Sequence, residues 1–197
     1  MPQKGKGKAK PFGRGRDGKA RRPFWQYSGF NFLFNSYRRQ NCLNKNSLIS
    51  IIIPTKGSKI NGYAKFSPLY QKRNCLTLVT AKLSGLPRNT VHGFHIHTYG
   101  DLSSEDGTAT GGHYDPHNVT HALPVKRNRH VGDMGNIVAN SKGDANYRKV
   151  FDIVKLEEIV GRGVIVHRDR DDGGQPTGNA GARVAQGVIG IANPEKK

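Results

Sequence analysis

Eight short runs rich in Val, Ile, Thr and Phe follow one another from residue 47 to residue 193, each closed by a cluster of Gly, Pro, Asn or Asp. Runs this short and this rich in β-branched and aromatic residues read as strands, because such side chains suit a pleated, half-buried surface and the clusters suit turns. The pattern predicts strands over residues 48–53, 60–67, 76–83, 91–99, 136–140, 145–153, 163–168 and 186–191. Eight strands with few helix signals define an all-β domain, a sandwich or a barrel of immunoglobulin-like kind. Two stretches, residues 100–133 and 169–185, carry little strand pattern; loops of that length in a compact β domain are usually functional.

The chain has 197 residues, room for one domain and an appendage. Its net charge is +18, but residues 1–46 hold 12 basic residues against Asp17 alone, which leaves +7 for the rest. Residues 1–22 mix Gly, Lys and Arg with almost nothing to bury and read as disordered. Residues 23–46 complete an extension that contains eight of the 16 aromatics. The expected organisation is a basic, Gly- and aromatic-rich, largely disordered extension over 1–46, a domain over 47–193 and a short tail over 194–197.

That extension suggests nucleic acid or another polyanion as a partner, through phosphate neutralisation and base stacking, against the plainer reading of a solubilising arm. Six glycines and three prolines in residues 1–46 oppose an amphipathic targeting helix, and Gln26, Ser28 and Asn31 interrupt any secretory apolar stretch. A cytoplasmic location is expected, with Lys19-Ala20-Arg21-Arg22 as a short nuclear-import alternative. The longest apolar run, 48–53, is six residues with Ser50 inside it, so no membrane span is expected. Cys42 and Cys75 exclude a disulfide framework and leave room for a single bridge or an intermolecular one.

Histidine is distributed unevenly: seven of eight lie between His92 and His130, and the eighth is His167. His95 and His97 stand at i and i+2 on a strand, so both imidazoles leave one face while Phe94 and Ile96 turn to the core. The loop that follows supplies His113, His117, His121 and His130, then Asp133 three residues later. One half-exposed histidine is an ordinary surface residue, whereas this accumulation points to metal. Imidazole suits Zn, Cu, Fe and Ni; a planar all-nitrogen set favours copper and a three-His, one-Asp set favours zinc. Two sites are the natural partition, with the strand residues His95, His97 and His167 in the redox site. Eight histidines and Asp133 could fill eight places, so counting leaves open whether the sites share a ligand.

Gly93-Phe94-His95-Ile96-His97, Gly112-His113-Tyr114-Asp115-Pro116, Arg129-His130-Val131-Gly132-Asp133-Met134-Gly135-Asn136 and Thr177-Gly178-Asn179-Ala180-Gly181-Ala182-Arg183 resemble the copper/zinc superoxide dismutase family, as does Gly187-Val188-Ile189-Gly190-Ile191-Ala192. The resemblance runs from about residue 47 to 193. It implies an eight-stranded Greek-key β-barrel, copper and zinc as cofactors, and conversion of superoxide to dioxygen and hydrogen peroxide. It implies copper on His95, His97, His113 and His167, and zinc on His113, His121, His130 and Asp133, with His113 shared. Asp171 matches the carboxylate that links a histidine of each metal, and Arg183 matches the arginine that draws in the anionic substrate. His92 is expected beneath the copper site and His117 on the solvated loop. A homodimer is implied through the surface around Ile159, Gly161, Val188 and Ile191.

Two departures from the family pattern stand out. The family's disulfide joins the loop before the bridging histidine to the last strand; here that loop reads Ser104-Glu105-Asp106-Gly107-Thr108 and the strand position is Gln186. That bridge cannot form, and neither Cys42 nor Cys75 replaces it by position, an arrangement suited to a reducing compartment. The stretch from Arg168 to Ala182 is also short, which implies a more open copper site. The competing reading is a catalytically weak metal-binding or scaffold protein of the same fold, with the tail on a polyanion. Retention of all seven ligand positions and Arg183 favours the enzyme.

Overall fold

The computed structural model describes residues 28–195. Eight strands are present: β1 (Leu48–Pro54), β2 (Asn61–Gln71), β3 (Asn74–Ser84), β4 (Val91–His97), β5 (Asp133–Val138), β6 (Ala145–Phe151), β7 (Gly163–His167) and β8 (Arg183–Ile191). They form one antiparallel sequence of neighbours, β5-β4-β7-β8-β1-β2-β3-β6. An isolated bridge between Ala139, just after β5, and Ala145, the first residue of β6, leaves the barrel nearly closed. β3 and β4 are consecutive in sequence but not neighbours, and this crossing places β4 between β5 and β7. The all-β, Greek-key expectation and all eight strands stand.

Strand alternation explains the core. Phe66, Phe94, Ile96, Met134, Ile137, Val164 and Val166 are buried and belong to one cluster. Removing each such side chain from water contributes about 1.5–3 kcal/mol, so β4 is fixed by Phe94 and Ile96 while its opposite face is free for polar work. β2 and β3 run longer than expected, joined by Lys72 and Arg73 with φ of 48° and 65°. A two-residue hairpin turn needs positive φ at both central positions, and here lysine and arginine adopt it without the usual Asn-Gly signal.

The chain divides between Arg38 and Arg39. The expectation of a largely disordered 1–46 needs correction over its last third, where α1 (Ser28–Leu43) forms. The six glycines and three prolines all lie at or before Gly29, so nothing after it breaks a helix until Pro54. Arg38 lies over the Phe34 ring one turn earlier, with Cζ 4.7 Å from its centroid. Residues 1–27, on which the polyanion-binding and targeting readings chiefly fall, lie outside the described residues.

Cys42, in the last turn of α1, is bonded to Cys75 at the start of β3. The two cysteines therefore pair with each other, forming the single bridge that the sequence left open. A second correction concerns Ile159, in the one-turn α2 (Leu156–Ile159): it is fully buried in the core, and its neighbour Val160 is the exposed residue. No helix among the described residues is long and apolar enough to cross a membrane.

Candidate metal centre

Register brings the histidines together. β4 pairs with β7 so that His97 lies opposite Gly163 and Phe94 opposite Val166, which sets His167, at the end of β7, beside the His95–His97 face. The long loop after β4 returns through a bridge between His97 and His113. Backbone hydrogen bonds then weave it onto the strand: Tyr114 N donates to Ile96 O at 2.8 Å and Ile96 N donates to Gly132 O at 2.9 Å. Gly132 is required here, because a Cβ would collide with the Ile96 carbonyl.

Two groups of ligand atoms result. One atom each from His95, His97, His113 and His167 lie within 4.8 Å of one another, as do atoms from His113, His121, His130 and Asp133; all seven residues are buried. His113 belongs to both groups. His92 is buried beneath them, its Nδ1 2.9 Å from the His167 carbonyl oxygen, and His117 is exposed on the loop, outside both groups.

Partners of the ring nitrogens decide what these groups can do. His97 Nδ1 donates to Gly111 O at 2.8 Å and His167 Nδ1 donates to Gly181 O at 3.1 Å. Each ring thereby points a lone pair on Nε2 inward, and these two atoms face each other at 3.3 Å. His95 Nε2 and His121 Nε2 donate to the two oxygens of Asp171, each at 2.9 Å. His130 Nε2 donates to Val119 O at 3.0 Å. In every case one nitrogen is tied outward and the other turned in, the arrangement that fixes tautomer and aim in metal-binding histidines.

Two of the inward atoms lack protein partners. Among the described residues, His95 Nδ1 and His113 Nε2 are buried without any hydrogen bond. Leaving such groups unsatisfied costs about 1–3 kcal/mol each, and a cation among them removes that cost. Asp133 repeats the pattern: Oδ2 accepts from the backbone N–H groups of Ala122 and His130, both at 3.1 Å. Its Oδ1 is surrounded by Nδ1 of His113, His121 and His130 at 2.8, 2.9 and 3.2 Å. His130 already spends a ring N–H on Val119, so one of its lone pairs meets a carboxylate oxygen, as around an ion, while His121 reaches the same oxygen through Nδ1. The donor sets fit two metals, one bound by imidazoles alone and one by three imidazoles and a carboxylate.

Electrostatics agree with this reading. Burial, reinforced by the neighbouring rings, depresses His97 well below the ordinary 6.5 and takes His167 to about 3. His113 falls to about 4, again chiefly by burial, although Asp133 opposes the shift. These imidazoles are neutral near pH 7, the form that binds metal. His121 goes the other way, because hydrogen bonds to Asp133 and Asp171 overcome its burial and lift it to about 9. In the metal-free chain a proton on His121 supplies the positive charge that the two carboxylates demand. Their own pKa values fall: burial opposes ionisation, but the hydrogen bonds to histidines prevail.

Arg183, at the start of β8, reaches back to the loop before His113. Its Nη1 donates to Gly107 O at 2.9 Å and its Nη2 to Gly111 O at 2.7 Å. Thr55 Oγ1 in turn donates to Arg183 O at 2.8 Å. Polar contacts hold this loop where a covalent link is missing: Gln186 Nε2 donates to Ser104 O at 3.3 Å, Lys56 N to Glu105 O at 2.8 Å, and Lys56 Nζ pairs with Glu105 at 2.6 Å. Arg168, beside His167, is paired with Asp169 at 3.0 Å, which offsets its attraction for an incoming anion.

Two residues escaped the sequence reading. Asn136 exchanges hydrogen bonds with the backbone of Asp171, Nδ2 to Asp171 O and Asp171 N to Oδ1, both 2.8 Å. Gln175 does the same for His121, with Nε2 donating to His121 O at 2.7 Å and His121 N donating to Oε1 at 3.2 Å. Each amide copies a strand's donor–acceptor pair across a loop. Nothing in the spacing of a lone amide announces that role.

An antiparallel barrel with two adjoining buried donor sets, one histidine common to both, defines a two-metal protein of the copper–zinc kind. A family model described as copper/zinc superoxide dismutase matches residues 60–189, and the chain belongs to that family. It is 39% identical over 145 residues to the Cu-Zn superoxide dismutase of Podospora anserina, covering 68% of this chain and 92% of that one. The Neurospora crassa Cu-Zn superoxide dismutase is 43% identical over 126 residues, covering 59% of this chain and 81% of that one. A solved structure described as the clock protein EA4 superposes with a TM-score of 0.67 at 36% identity, covering 75% of this chain and 95% of that one. The protein is accordingly an oxidoreductase whose cofactors are copper and zinc.

Proposed function

We propose that the chain disproportionates superoxide, with copper held by His95, His97, His113 and His167 and zinc by His113, His121, His130 and Asp133. The observation that carries this reading is His113, whose Nδ1 faces Asp133 while its buried Nε2 has no protein partner. When bound, copper supplies one-electron chemistry, alternating between its two oxidation states so that two superoxide ions and two protons become one dioxygen and one hydrogen peroxide. Zinc has no redox chemistry and holds the loop and the His113 ring in place.

Arg183 binds and orients the anion. Its guanidinium is fixed by two carbonyls, so its remaining N–H groups are presented without further loss of side-chain freedom. His113 Nε2, buried and without a partner among the described residues, is the atom that takes up and releases a proton for peroxide formation. Asp171 is a positioning residue, aiming His95 and His121 together. The positive charge of the body raises the encounter rate with a small anion, superoxide dismutases being an established example of such steering.

The test is one preparation loaded with both metals, assayed for metal content and for cyanide-sensitive superoxide removal. One copper and one zinc per chain with rapid turnover supports the assignment. Full occupancy without turnover replaces it with a metal-binding scaffold. A homodimer is part of the proposal, resting on the exposed apolar residues Ile51, Val160, Val188 and Ile191, the last 63% exposed. Sedimentation equilibrium checks it, and a Val160→Glu, Ile191→Glu double variant is expected to sediment as a monomer.

A further inference from the structure

Cationic side chains in excess of acids collect in a cleft of about 580 Å³ formed by the loop before His130 and the end of β6. Lys126, Arg127, Arg129 and Lys149 line it, against Asp152 as its one acid. None of the four cations forms a salt bridge among the described residues; the Lys and Arg pairs that do form involve Lys45, Lys56 and Arg168.

Arg129 is the fixed element. The residue is only 7% exposed, its Nη1 donates to Lys126 O at 2.8 Å and its Nε to Asp133 O at 3.4 Å. Its Cζ lies 5.9 Å from the Phe151 ring centroid. Nη2 has no acceptor among the described residues, in contrast to Nη1 and Nε. Lys149 comes from the neighbouring strand, with Nζ 5.9 Å from the Tyr147 ring centroid. Burial lowers the pKa of Lys149, and the neighbouring Arg129 lowers it further. Holding two like charges together in a partly desolvated place costs free energy, and an anion between them would offset it.

We propose that this cleft binds a compact polyphosphate anion, with Arg129 Nη2 and Lys149 Nζ gripping phosphate oxygens and Lys126 and Arg127 closing over them from the rim. The flat fork of a guanidinium matches phosphate oxygens, and lysine adds a point charge. Four cations against one carboxylate call for an anion of several charges, and the cleft lies within the size range of small-ligand sites. The polyphosphate can be inorganic or the chain of a nucleotide, and the two differ in what else they bring.

The full metal-loaded chain is titrated calorimetrically with pyrophosphate, with ATP and with adenosine at near-physiological salt, and metal content is measured before and after to exclude chelation. Saturable binding of pyrophosphate and ATP, but not adenosine, is expected. Equal affinity for the two identifies phosphate as the whole determinant, and tighter ATP assigns the nucleotide as the occupant. Lys149→Gln should lose at least about 10-fold in affinity, while Lys142→Gln, which removes the same charge from an exposed turn, should not. Because that variant keeps residues 1–46, the pair separates the cleft from the basic extension. Arg129→Gln should lose as much or more, and Lys149→Gln decides the matter if that change disturbs the neighbouring metal ligands. Absence of saturable binding, or equal loss in Lys149→Gln and Lys142→Gln, overturns the proposal.

Discussion

Arg183 and His97 share a single acceptor, the carbonyl oxygen of Gly111, which receives Nη2 of the arginine at 2.7 Å and Nδ1 of the histidine at 2.8 Å. The cation proposed to orient the substrate and an imidazole of the all-histidine donor group are thus indexed to the same backbone atom. A shift of the loop moves both, which makes the polar anchors of that loop part of the catalytic geometry.

Replacing Arg183 with Ile removes the proposed anion guide and its hydrogen bonds to Gly107 and Gly111. The catalytic rate at low salt should fall at least about 10-fold, and its decline with ionic strength should flatten, because steering by charge is the screened component. Copper content should remain unchanged. Stopped-flow rates across a salt series, with metal analysis on the same samples, check both points.

His113→Ala removes a member of both donor groups. Turnover should be lost, and both metals should bind more weakly. An unchanged affinity for either metal, measured by competition with a chelator, contradicts the shared assignment.

Asp171→Asn keeps shape and loses charge. An amide can still accept at one position, but it cannot accept from both His95 and His121 while remaining satisfied. Removing partners of this kind typically costs about 10–100-fold in metal affinity. Zinc competition titrations should fall in that range, with the far-ultraviolet spectrum unchanged.

The metal-free chain should have a stability maximum near neutral pH. His113 and His167 have folded pKa values of about 4 and about 3, below the ordinary 6.5. The unfolded chain binds more protons in that interval, so stability is complete above 6.5 and falls as pH drops toward those values. His121 is raised to about 9, and its contribution is complete below 6.5 and lost as pH rises through 9. Thermal melts of chelator-treated protein from pH 4 to 10 should trace both limbs. Zinc uptake at pH 7–8 should release about one proton, from His121, measurable in buffers of different ionisation enthalpy.

The Cys42–Cys75 bridge closes a span of 33 residues. Chain-entropy arguments assign such a cross-link about 3–4 kcal/mol. A Cys42→Ser, Cys75→Ser variant should unfold at lower urea concentration while its metal content and specific activity match the parent.

Much of the fold could be read from the sequence because its determinants are local. Alternation of Phe94 and Ile96 with His95 and His97 fixed both the core face and the metal face of β4. Strand starts were less clear at β5 and β8, which begin three residues earlier than expected, at Asp133 and Arg183. Those residues look like loop polar groups, and only their burial and cross-chain bonds make them strand. The amides of Asn136 and Gln175 were silent for the same reason, since their partners lie 35 and 54 residues away in sequence. α1 was hidden by averaging over residues 1–46, which blended a glycine-rich start with a segment free of helix breakers. The pairing of Cys42 with Cys75 depends on where the chain enters the barrel, and no spacing rule carries that information.

The position of that bridge separates two liabilities. The cysteines lie on α1 and β3, whereas every histidine of the two groups lies on β4, on β7 or in the loop between β4 and β5. A reductant that opens the bridge therefore acts on the fastening of the chain's entry segment, and the loop that aligns Arg183 keeps its hydrogen bonds. Thiol chemistry in this molecule decides how firmly the barrel retains its leading helical turn, while the strands and loop that carry the metal ligands hold no cysteine.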